Sequence, residues 1–463
     1  MRIYLHIPVT LLLFIFISLS LFTGGCAQIG MPTGGAKDTV SPKLIKATPV
    51  FGSVNVKSNK ITLAFNEYID VQEVQKNLII SPFQNKNPTI ISDLKSITIK
   101  FKDTLLPNTT YTLNFGDAIK DVNEGNIYKN LTYVFSTGSK LDSLSITGKI
   151  ILAETGGVDS TLMVMLYSNA VDSTVTKKKP NYIAKVNGDG SFEFINLPAS
   201  TFKIYALKDG DGSKTYNAKS ENFAFLDTSI NAANKEPVIL YAYTEEKEKL
   251  NNVPIIVTKK VLDKKLRVTT SLQTKQDLFE PLEIYFNNPI KFFDSTKVFI
   301  TDTNYKKITG LLFSKDSTSK KITITTKWKA DIPLILIIDT LAAKDSLGNK
   351  IGKIDTLRFS TKRAEDYGRL ILHFNDLDLK KIPILQFLNG EEVKFSYPIT
   401  NKDWINNMFH PGEYGIRIIY DTDKNSKWTT GNYFKKLQPE TSVTLPQKLT
   451  VKADWDNERE INL

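Results

Sequence analysis

The sequence predicts an all-β protein made of tandem β-sandwiches, and three observations support this prediction. Segments such as KITLAFNEYI (60–69) and TYTLNF (110–115) alternate apolar and polar side chains and are separated by turn residues. Helical periodicity is confined to a short stretch, VQEVQKNL (71–78). Finally, the second half of the chain repeats sequence features of the first half, which indicates duplicated domains.

The chain begins with an apolar run, VTLLLFIFISLSLF (9–22), which is short for a membrane span and has the length of a signal-peptide core. Thr23 and two glycines then precede Cys26, the single cysteine. This arrangement resembles the lipobox of bacterial lipoproteins, although Thr23 stands where leucine is usual. The resemblance implies that residues 1–25 are a lipoprotein signal peptide and that Cys26 is lipidated. An ordinary secretory signal and an uncleaved anchor are the alternatives.

Residues 26–42 are rich in glycine and small polar residues, so they are expected to form a flexible tether. Ala27 follows the cysteine where an aspartate would signal retention in the inner membrane, and the lipoprotein resemblance therefore favours the outer membrane. The acidic tag that exports some lipoproteins to the cell surface is absent from AQIGMP (27–32). The periplasmic and cell-surface faces both remain open.

Two pairs of long segments match between the halves of the chain: ITLAFNEYIDVQEVQKNLIIS (61–81) with LEIYFNNPIKFFDSTKVFITD (282–302), and AIKDVNEGNIYKNLTYVFSTG (118–138) with AAKDSLGNKIGKIDTLRFSTK (342–362). Each copy has a strand ending in Phe-Asn, a later Lys-Asp, a Gly-Asn turn and a closing Phe-Ser-Thr. We therefore predict Ig-like domains at 43–138 and 254–362, with Phe286 in the place of Phe65.

A second kind of segment also recurs. GDGSFEFINLPASTFKIYALKDGDGSKTYN (188–217) resembles the transthyretin-like or carboxypeptidase-regulatory sandwich, in which a Gly-x-Phe strand leads to a Leu-Pro turn and an acidic loop. MFHPGEYGIRIIYDTDKNSKWTTGNY (408–433) repeats the end of that pattern. The resemblance implies transthyretin-like sandwiches at 144–243 and 368–463, which alternate with the Ig-like domains.

The N-terminal half closely resembles a family of Bacteroidota outer-membrane lipoproteins that begin with a bacterial Ig-like domain. The resemblance rests on these segments: CAQIGMPTGGAKD (26–38), FNEYID (65–70), LPNTTYTLNFGDAIKDVNEGN (106–126), YVFSTG (133–138) and FAFLD (223–227). It implies an architecture and a location in the outer membrane, and it implies little about chemistry.

Charge and composition exclude several classes of protein. The formal net charge of +11 comes from lysines spread along the chain, without the basic stripe and interleaved aromatic residues of a nucleic-acid-binding motif. We therefore expect no nucleic-acid partner. A single cysteine excludes an internal disulfide, so each domain depends on its hydrophobic core.

The sequence offers no catalytic constellation, and we expect neither an enzyme nor a cofactor. Only His373 and His410 lie beyond the signal peptide, without a metal-ligand spacing or an evident partner. Glu67 and Asp70 form a possible carboxylate pair, but the second copy does not repeat it. Gly-x-Ser-x-Gly and phosphate-binding glycine loops are absent from the sequence.

Two acidic loops present oxygen atoms on alternate residues, as the start of a calcium loop does: Asp209, Asp211 and Ser213, then Asp421, Asp423 and Asn425. The bidentate glutamate that an EF-hand requires at its twelfth position is replaced by Ser220 and Asn432. A weak calcium site and a tight polar turn are the two interpretations.

A further motif, Asp-Thr/Ser-aliphatic, resembles the O-glycosylation acceptor of Bacteroidota envelope proteins. Its predicted acceptors are Thr39, Thr104, Ser143, Thr340, Ser346 and Thr356. The alternative is that Asp followed by Thr or Ser simply begins a strand after a turn.

These features predict a non-catalytic outer-membrane lipoprotein that acts as a β-sandwich scaffold or accessory subunit. The expected partner is an outer-membrane β-barrel protein or complex, and the barrel-assembly and export machineries are among the candidates. The alternative is a glycan- or peptide-binding surface lipoprotein that uses exposed aromatic residues such as Trp404, Trp428 and Tyr433.

Overall fold

The structure is a computed structural model that describes the following residues: 35, 37–168, 171–246 and 265–463. Cys26, the predicted signal peptide 1–25, most of the tether 26–42 and the start of the predicted domain 254–362 lie outside the described residues. The described α-helical structure is one helix of four residues, α1 (Val74–Asn77). No helix in this part of the chain has the length and apolar character needed to cross a membrane.

The chain divides into two compact units by its internal contacts. Their described residues fall in the following ranges: Met1–Leu78, Lys86–Leu105 and Leu113–Val134 for the first unit, and Ile79–Asn85, Leu106–Thr112 and Phe135–Leu463 for the second. The strands group in chain order into four β-sandwiches, and four short 3-10 turns accompany them: Asp172–Thr176, Ser295–Lys297, Ala364–Asp366 and Leu379–Lys381.

The first sandwich has nine strands: β1 (Leu44–Thr48), β2 (Lys60–Phe65), β3 (Ile69–Val71), β4 (Ile79–Ser81), β5 (Thr89–Asp93), β6 (Ser96–Lys100), β7 (Thr110–Asn114), β8 (Ile119–Asp121) and β9 (Thr132–Ser136). They form a sheet of order β1-β2-β6-β5, a sheet β4-β7-β9 and a ribbon β3-β8. In β2, Ile61, Leu63 and Phe65 are buried on one face, as the alternating pattern predicts.

The second sandwich has eight strands: β10 (Leu144–Leu152), β11 (Met163–Ser168), β12 (Tyr182–Lys185), β13 (Ser191–Leu197), β14 (Thr201–Leu207), β15 (Asn222–Phe225), β16 (Ile230–Asn231) and β17 (Val238–Thr244). Their order is β12-β11-β14-β15-β17-β10-β13, with β16 beside β14. The first strand, β10, pairs in parallel with the last, β17.

The third sandwich has ten strands: β18 (Val268–Thr270), β19 (Lys275–Gln276), β20 (Leu282–Phe286), β21 (Ile290–Phe293), β22 (Val298–Thr301), β23 (Leu312–Lys315), β24 (Lys321–Thr325), β25 (Pro333–Ile338), β26 (Ala343–Asp345) and β27 (Asp355–Thr361). The orders β18-β20-β24-β23 and β19-β27-β25-β22 and the ribbon β21-β26 repeat those of the first sandwich, with β19 added. Buried Phe286 pairs with Val268 as buried Phe65 pairs with Leu44.

The fourth sandwich has eight strands: β28 (Gly368–Asn375), β29 (Pro383–Asn389), β30 (Glu392–Pro398), β31 (Asp403–Phe409), β32 (Gly412–Tyr420), β33 (Ser442–Thr444), β34 (Leu449–Val451) and β35 (Asp456–Asn462). Its sheets β31-β28-β35 and β30-β29-β32-β33, with β34 beside β32, repeat the pairings of the second sandwich, except that β33 and β35 do not pair as β15 and β17 do. The first and last strands, β28 and β35, are again parallel. The described chain is therefore all-β, as the sequence predicts.

Candidate functional site

The outer face of the second sandwich is aromatic, and it is the best-defined candidate site of the molecule. In β14, Phe202, Ile204 and Ala206 face the sandwich core, whereas Tyr205 and Leu207 face the other way. Side chains on both faces of this strand are buried, and its sequence is accordingly a nearly continuous apolar run. A sheet with two buried faces requires a second covering layer.

A loop of the fourth sandwich, residues 428–438, supplies part of the covering layer, together with Val175 and Tyr216 of the second sandwich. We call this loop the seam loop. Its Tyr433 is 2% exposed. The Tyr433 ring centroid lies 5.8 Å from that of Tyr205, 5.2 Å from that of Phe223 and 5.1 Å from that of Phe225. Edge-to-face contacts at these distances are favourable for aromatic pairs. Tyr433 therefore joins two sandwiches that are far apart in the sequence.

Polar groups fix the position of the seam loop. The Tyr433 hydroxyl lies 3.1 Å from the Tyr205 hydroxyl and donates a 2.5 Å hydrogen bond to the Asp172 carbonyl oxygen. The Glu245 carboxylate accepts a 3.0 Å bond from the Tyr433 backbone N–H. A Cβ atom at Gly431 would lie 2.7 Å from the Tyr243 ring, so only glycine fits at this approach.

Arg417 makes a second contact between the same two sandwiches. It is 9% exposed, and its Nε donates to the Gln386 side-chain oxygen at 2.8 Å. Its Nη1 donates to the Glu154 carbonyl oxygen of the second sandwich at 3.2 Å. Burial lowers the pKa of Arg417, and the nearby Glu154 charge opposes that shift. The guanidinium lines a cavity of about 580 Å³ that Glu391 also borders.

The three aromatic residues proposed for glycan binding do not form an exposed surface, so that expectation of exposure is wrong. Tyr433 is buried in the seam. Trp428 is half-buried beside the same aromatic cluster, and its Nε1 donates to the Glu440 carbonyl oxygen at 2.7 Å. Trp404 packs in the fourth sandwich, with its ring centroid 5.7 Å from that of Phe387.

The acidic loop of the second sandwich brings Asp209 and Asp211 together with Glu221, each offering an oxygen within 4.8 Å of the others. Ser213 donates its backbone N–H to Asp211 at 2.8 Å and lies beside this trio. Asp209 pairs with Lys214, with the Nζ and carboxylate oxygen 3.3 Å apart. Burial raises the pKa of Glu221, and the charges of Asp211 and Asp209 add to that effect.

The fourth sandwich repeats the trio with Asp421, Asp423 and Glu440. The Glu440 carboxylate accepts hydrogen bonds from the backbone N–H groups of Thr422 at 2.6 Å and Thr429 at 2.9 Å. Asn425 donates its backbone N–H to Asp421 at 3.0 Å and to Asp423 at 3.1 Å. Asp421 and Asp423 therefore cap this turn, as Asp211 does in the second sandwich.

Sequence reasoning missed the third carboxylate of each trio, because the EF-hand spacing pointed to Ser220 and Asn432. Glu221 and Glu440 instead lie just before β15 and β33, the next strands of their sandwiches. An acidic residue at the start of the strand after each acidic loop is the signal that would have found them. Three carboxylates offer the hard oxygen ligands that calcium prefers. Here those oxygens already accept hydrogen bonds from the turn itself.

Both histidines have acidic partners, so the expectation that they lack one is wrong. His373 lies on β28 with its Nδ1 2.6 Å from Asp403 and its Nε2 2.8 Å from Glu458. His410 Nδ1 lies 3.5 Å from the Asp277 carboxylate. Strand pairing of β28 with β31 and β35 brings Asp403 and Glu458 to His373, whereas Asp277 reaches His410 from a loop of the third sandwich.

The remaining candidate residues are spread over the surface. Of the six predicted glycosylation acceptors, Thr340 is half-buried. The other five are exposed: Thr39, Thr104, Ser143, Ser346 and Thr356. Glu67 and Asp70 are half-buried, and Asp70 accepts a 2.7 Å hydrogen bond from the Gln72 side chain. None of these residues joins the seam or the acidic trios among the described residues.

Comparison with known families identifies residues 38–137 as a bacterial Ig-like domain. This match supports the Ig-like part of the predicted architecture and the all-β fold. No curated protein matches the chain.

Solved structures with similar local geometry include the N-terminal part of the bacterial S-layer protein SbsC, at 15% identity, covering 44% of this chain and 44% of that one, with a TM-score of 0.17. BcpA, the major pilin subunit of Bacillus cereus, matches at 8% identity, covering 69% of this chain and 99% of that one, with a TM-score of 0.16. The match to a longer SbsC structure spans 54% of that protein. These TM-scores are too low to support any inference about function.

Proposed function

We propose that this protein is a non-catalytic outer-membrane lipoprotein whose sandwiches act as a scaffold or accessory subunit of an outer-membrane complex. The observation that carries the proposal is the seam, in which buried Tyr433 and Arg417 join the second and fourth sandwiches. A scaffold must hold its binding surfaces at fixed positions, and buried contacts of this kind supply that property.

The membrane location rests on the N-terminal sequence. The apolar run 9–22 and the small residues before Cys26 support cleavage and lipidation, with the mature chain anchored through Cys26. The bacterial Ig-like domain at 38–137 is consistent with membership of the Bacteroidota lipoprotein family that the N-terminal half resembles.

The partner we propose is an outer-membrane β-barrel protein. The outermost strands β5 and β23 each expose an apolar side chain, Ile91 at 55% and Leu312 at 70%. An exposed strand edge of this kind can extend a partner's sheet through backbone hydrogen bonds. β5 and β23 hold the same place in the strand orders of the first and third sandwiches.

Affinity purification from the native envelope in mild detergent tests the proposal. We expect a barrel protein at near-stoichiometric yield, and we expect the double substitution Ile91→Lys and Leu312→Lys to reduce that yield. Leu341→Lys, at an exposed turn position away from the strand edges, is the matched control. Recovery of the protein alone, together with specific retention on a glycan or peptide column, would support the ligand-binding alternative.

A further inference from the structure

The tip of the seam loop carries exposed apolar and basic side chains together. Phe434 is 64% exposed and Leu437 is 54% exposed, with Lys435 and Lys436 between them. Val171 of the second sandwich is 70% exposed and directly precedes Asp172, which the seam loop contacts. We call these five residues, Val171, Phe434, Lys435, Lys436 and Leu437, the basic-apolar tip.

The tip is held in place by the structure beneath it. The Lys436 backbone N–H donates to the Tyr433 carbonyl oxygen at 3.1 Å, which closes the turn. The Lys436 Nζ lies 3.0 Å from the Asp172 carboxylate and 4.3 Å from the centre of the Tyr433 ring. Phe434 stacks over Tyr216, with ring centroids 6.4 Å apart. The exposed side chains are therefore presented by an anchored turn.

The tip carries two lysines, Lys435 and Lys436, and Lys436 pairs with one carboxylate, that of Asp172. Asp172 is shared between two lysines, since its second carboxylate oxygen lies 3.0 Å from the Lys203 Nζ. The basic run Lys177–Lys179 follows directly after the 3-10 turn Asp172–Thr176. Lys435 is exposed. An apolar protrusion that also carries lysines is complementary to a surface that is apolar inside and negatively charged outside.

We propose that the basic-apolar tip docks on an anionic lipid bilayer, with Phe434, Leu437 and Val171 entering the headgroup region and the lysines facing lipid phosphates. A bilayer fits better than a protein partner, because a convex turn with separate apolar side chains needs no shaped counterpart. The inference deepens the proposed membrane location. Docking of the tip does not require lipidation of Cys26, so either hypothesis can fail while the other holds.

Vesicle binding by the full chain carrying Cys26→Ser tests this inference. We expect stronger co-sedimentation with vesicles of equal phosphatidylcholine and phosphatidylglycerol than with phosphatidylcholine alone, and binding that weakens with salt. The double substitution Phe434→Asp and Leu437→Asp should lower affinity for the anionic vesicles about tenfold. Ile354→Asp, at a similarly exposed apolar position of the third sandwich, should leave it unchanged. Equal binding by both variants would overturn the inference.

A second measurement locates the contact without relying on total binding. Fluorescence of the Phe434→Trp variant should shift to the blue and be quenched by brominated lipids, after subtraction of the signal of the unsubstituted chain. The Ile354→Trp variant should show neither effect. Lys435→Glu should weaken binding to the anionic vesicles and leave binding to phosphatidylcholine unchanged. Absence of quenching by brominated lipids in the Phe434→Trp variant would exclude a lipid contact at the tip.

Discussion

Asp121 and Asp345 show how one residue can organise a turn in two duplicated domains. Asp121 accepts backbone hydrogen bonds from Glu124, Gly125 and Asn126 at 2.6, 2.8 and 3.0 Å. Asp345 accepts equivalent bonds in its own turn and also binds the Asn288 side chain at 3.0 Å. The repeated Lys-Asp motif in the sequence therefore marks a buried turn cap, and the Gly-Asn pair after it forms the turn.

Replacing Asp345 with alanine should destabilise the third sandwich. The substitution removes the acceptor of the backbone N–H groups of the turn and one hydrogen bond of Asn288, so the thermal midpoint should fall by roughly 2–6 °C. Asp302→Ala removes a similar but half-exposed turn cap and should lower the thermal midpoint by less. Differential scanning calorimetry compares the two variants. Equal falls in thermal midpoint would contradict the idea that a buried cap stabilises the fold more than a half-exposed one.

The same carboxylate predicts a pH dependence. Burial alone would raise the pKa of Asp345, but hydrogen bonds from Asn349 and Asn288 lower it below its ordinary value of 3.8. A depressed folded-state pKa contributes stability at neutral pH that is lost as the pH falls through the folded value. Chemical denaturation from neutral to acid pH should therefore show a smaller acid-induced loss for Asp345→Asn than for the unsubstituted chain.

The pKa values of His373 and His410 should be shifted in opposite directions from that of an ordinary histidine. Hydrogen bonds to Asp403 and then to Glu458 raise the pKa of His373 above its ordinary value of 6.5. Burial lowers the pKa of His410, and the Asp277 charge only partly offsets this effect. An NMR titration should find His373 protonated at a higher pH than His410, and Asp403→Asn should lower the pKa of His373 alone. The reverse order of titration would refute the assigned contacts.

At the scale of an element, the seam loop should depend on the Tyr433 side chain. Tyr433→Ala removes a fully buried ring from the seam and should lower the free energy of unfolding by about 3–5 kcal/mol. Tyr433→Phe keeps the ring but leaves the Tyr205 hydroxyl and the Asp172 carbonyl oxygen without this partner. It should cost about 0.5–1.5 kcal/mol. Urea denaturation measures the free energy of unfolding of both variants. No loss in the Tyr433→Ala variant would show that the seam adds no stability.

The acidic loops should respond little to removal of calcium. Glu440 and its counterpart Glu221 already accept backbone hydrogen bonds, so a cation would have to displace satisfied contacts. A chelator should therefore lower the thermal midpoint by only a few degrees, if at all. Glu440→Ala should lower it further than the chelator does. A large chelator-dependent shift in the unsubstituted chain would identify the trios as metal sites.

At the scale of the whole molecule, lipidation of Cys26 predicts where the protein is found. Cys26→Ala should abolish labelling by a radioactive fatty acid and leave the chain either unprocessed or released from the membrane. Labelling of the unsubstituted chain is the control. Unchanged acylation of the variant would show that the lipid is attached elsewhere.

Local patterns in the sequence predict much of this architecture, but they do not predict the seam. Alternation in KITLAF and the matching Lys-Asp turns depend on neighbouring residues, so the all-β fold and the repeated strand order follow from them. Tyr433 and Tyr205 belong to different sandwiches, and their separation of 228 residues leaves no periodic signal. The apolar runs of β14 and β15 indicate a sheet with two buried faces, without identifying the layer that covers the second face.

Parallel pairing of the first and last strands determines how a sandwich would respond to a pulling force. In the fourth sandwich, β28 and β35 are in register from Arg369 beside Asp456 to Asn375 beside Asn462. The chain therefore enters at one end of this ladder and leaves at the other. Tension applied through the two termini would load all of its hydrogen bonds together in shear, so they could not open one after another. The second sandwich, built on β10 and β17, would resist stretching in the same way.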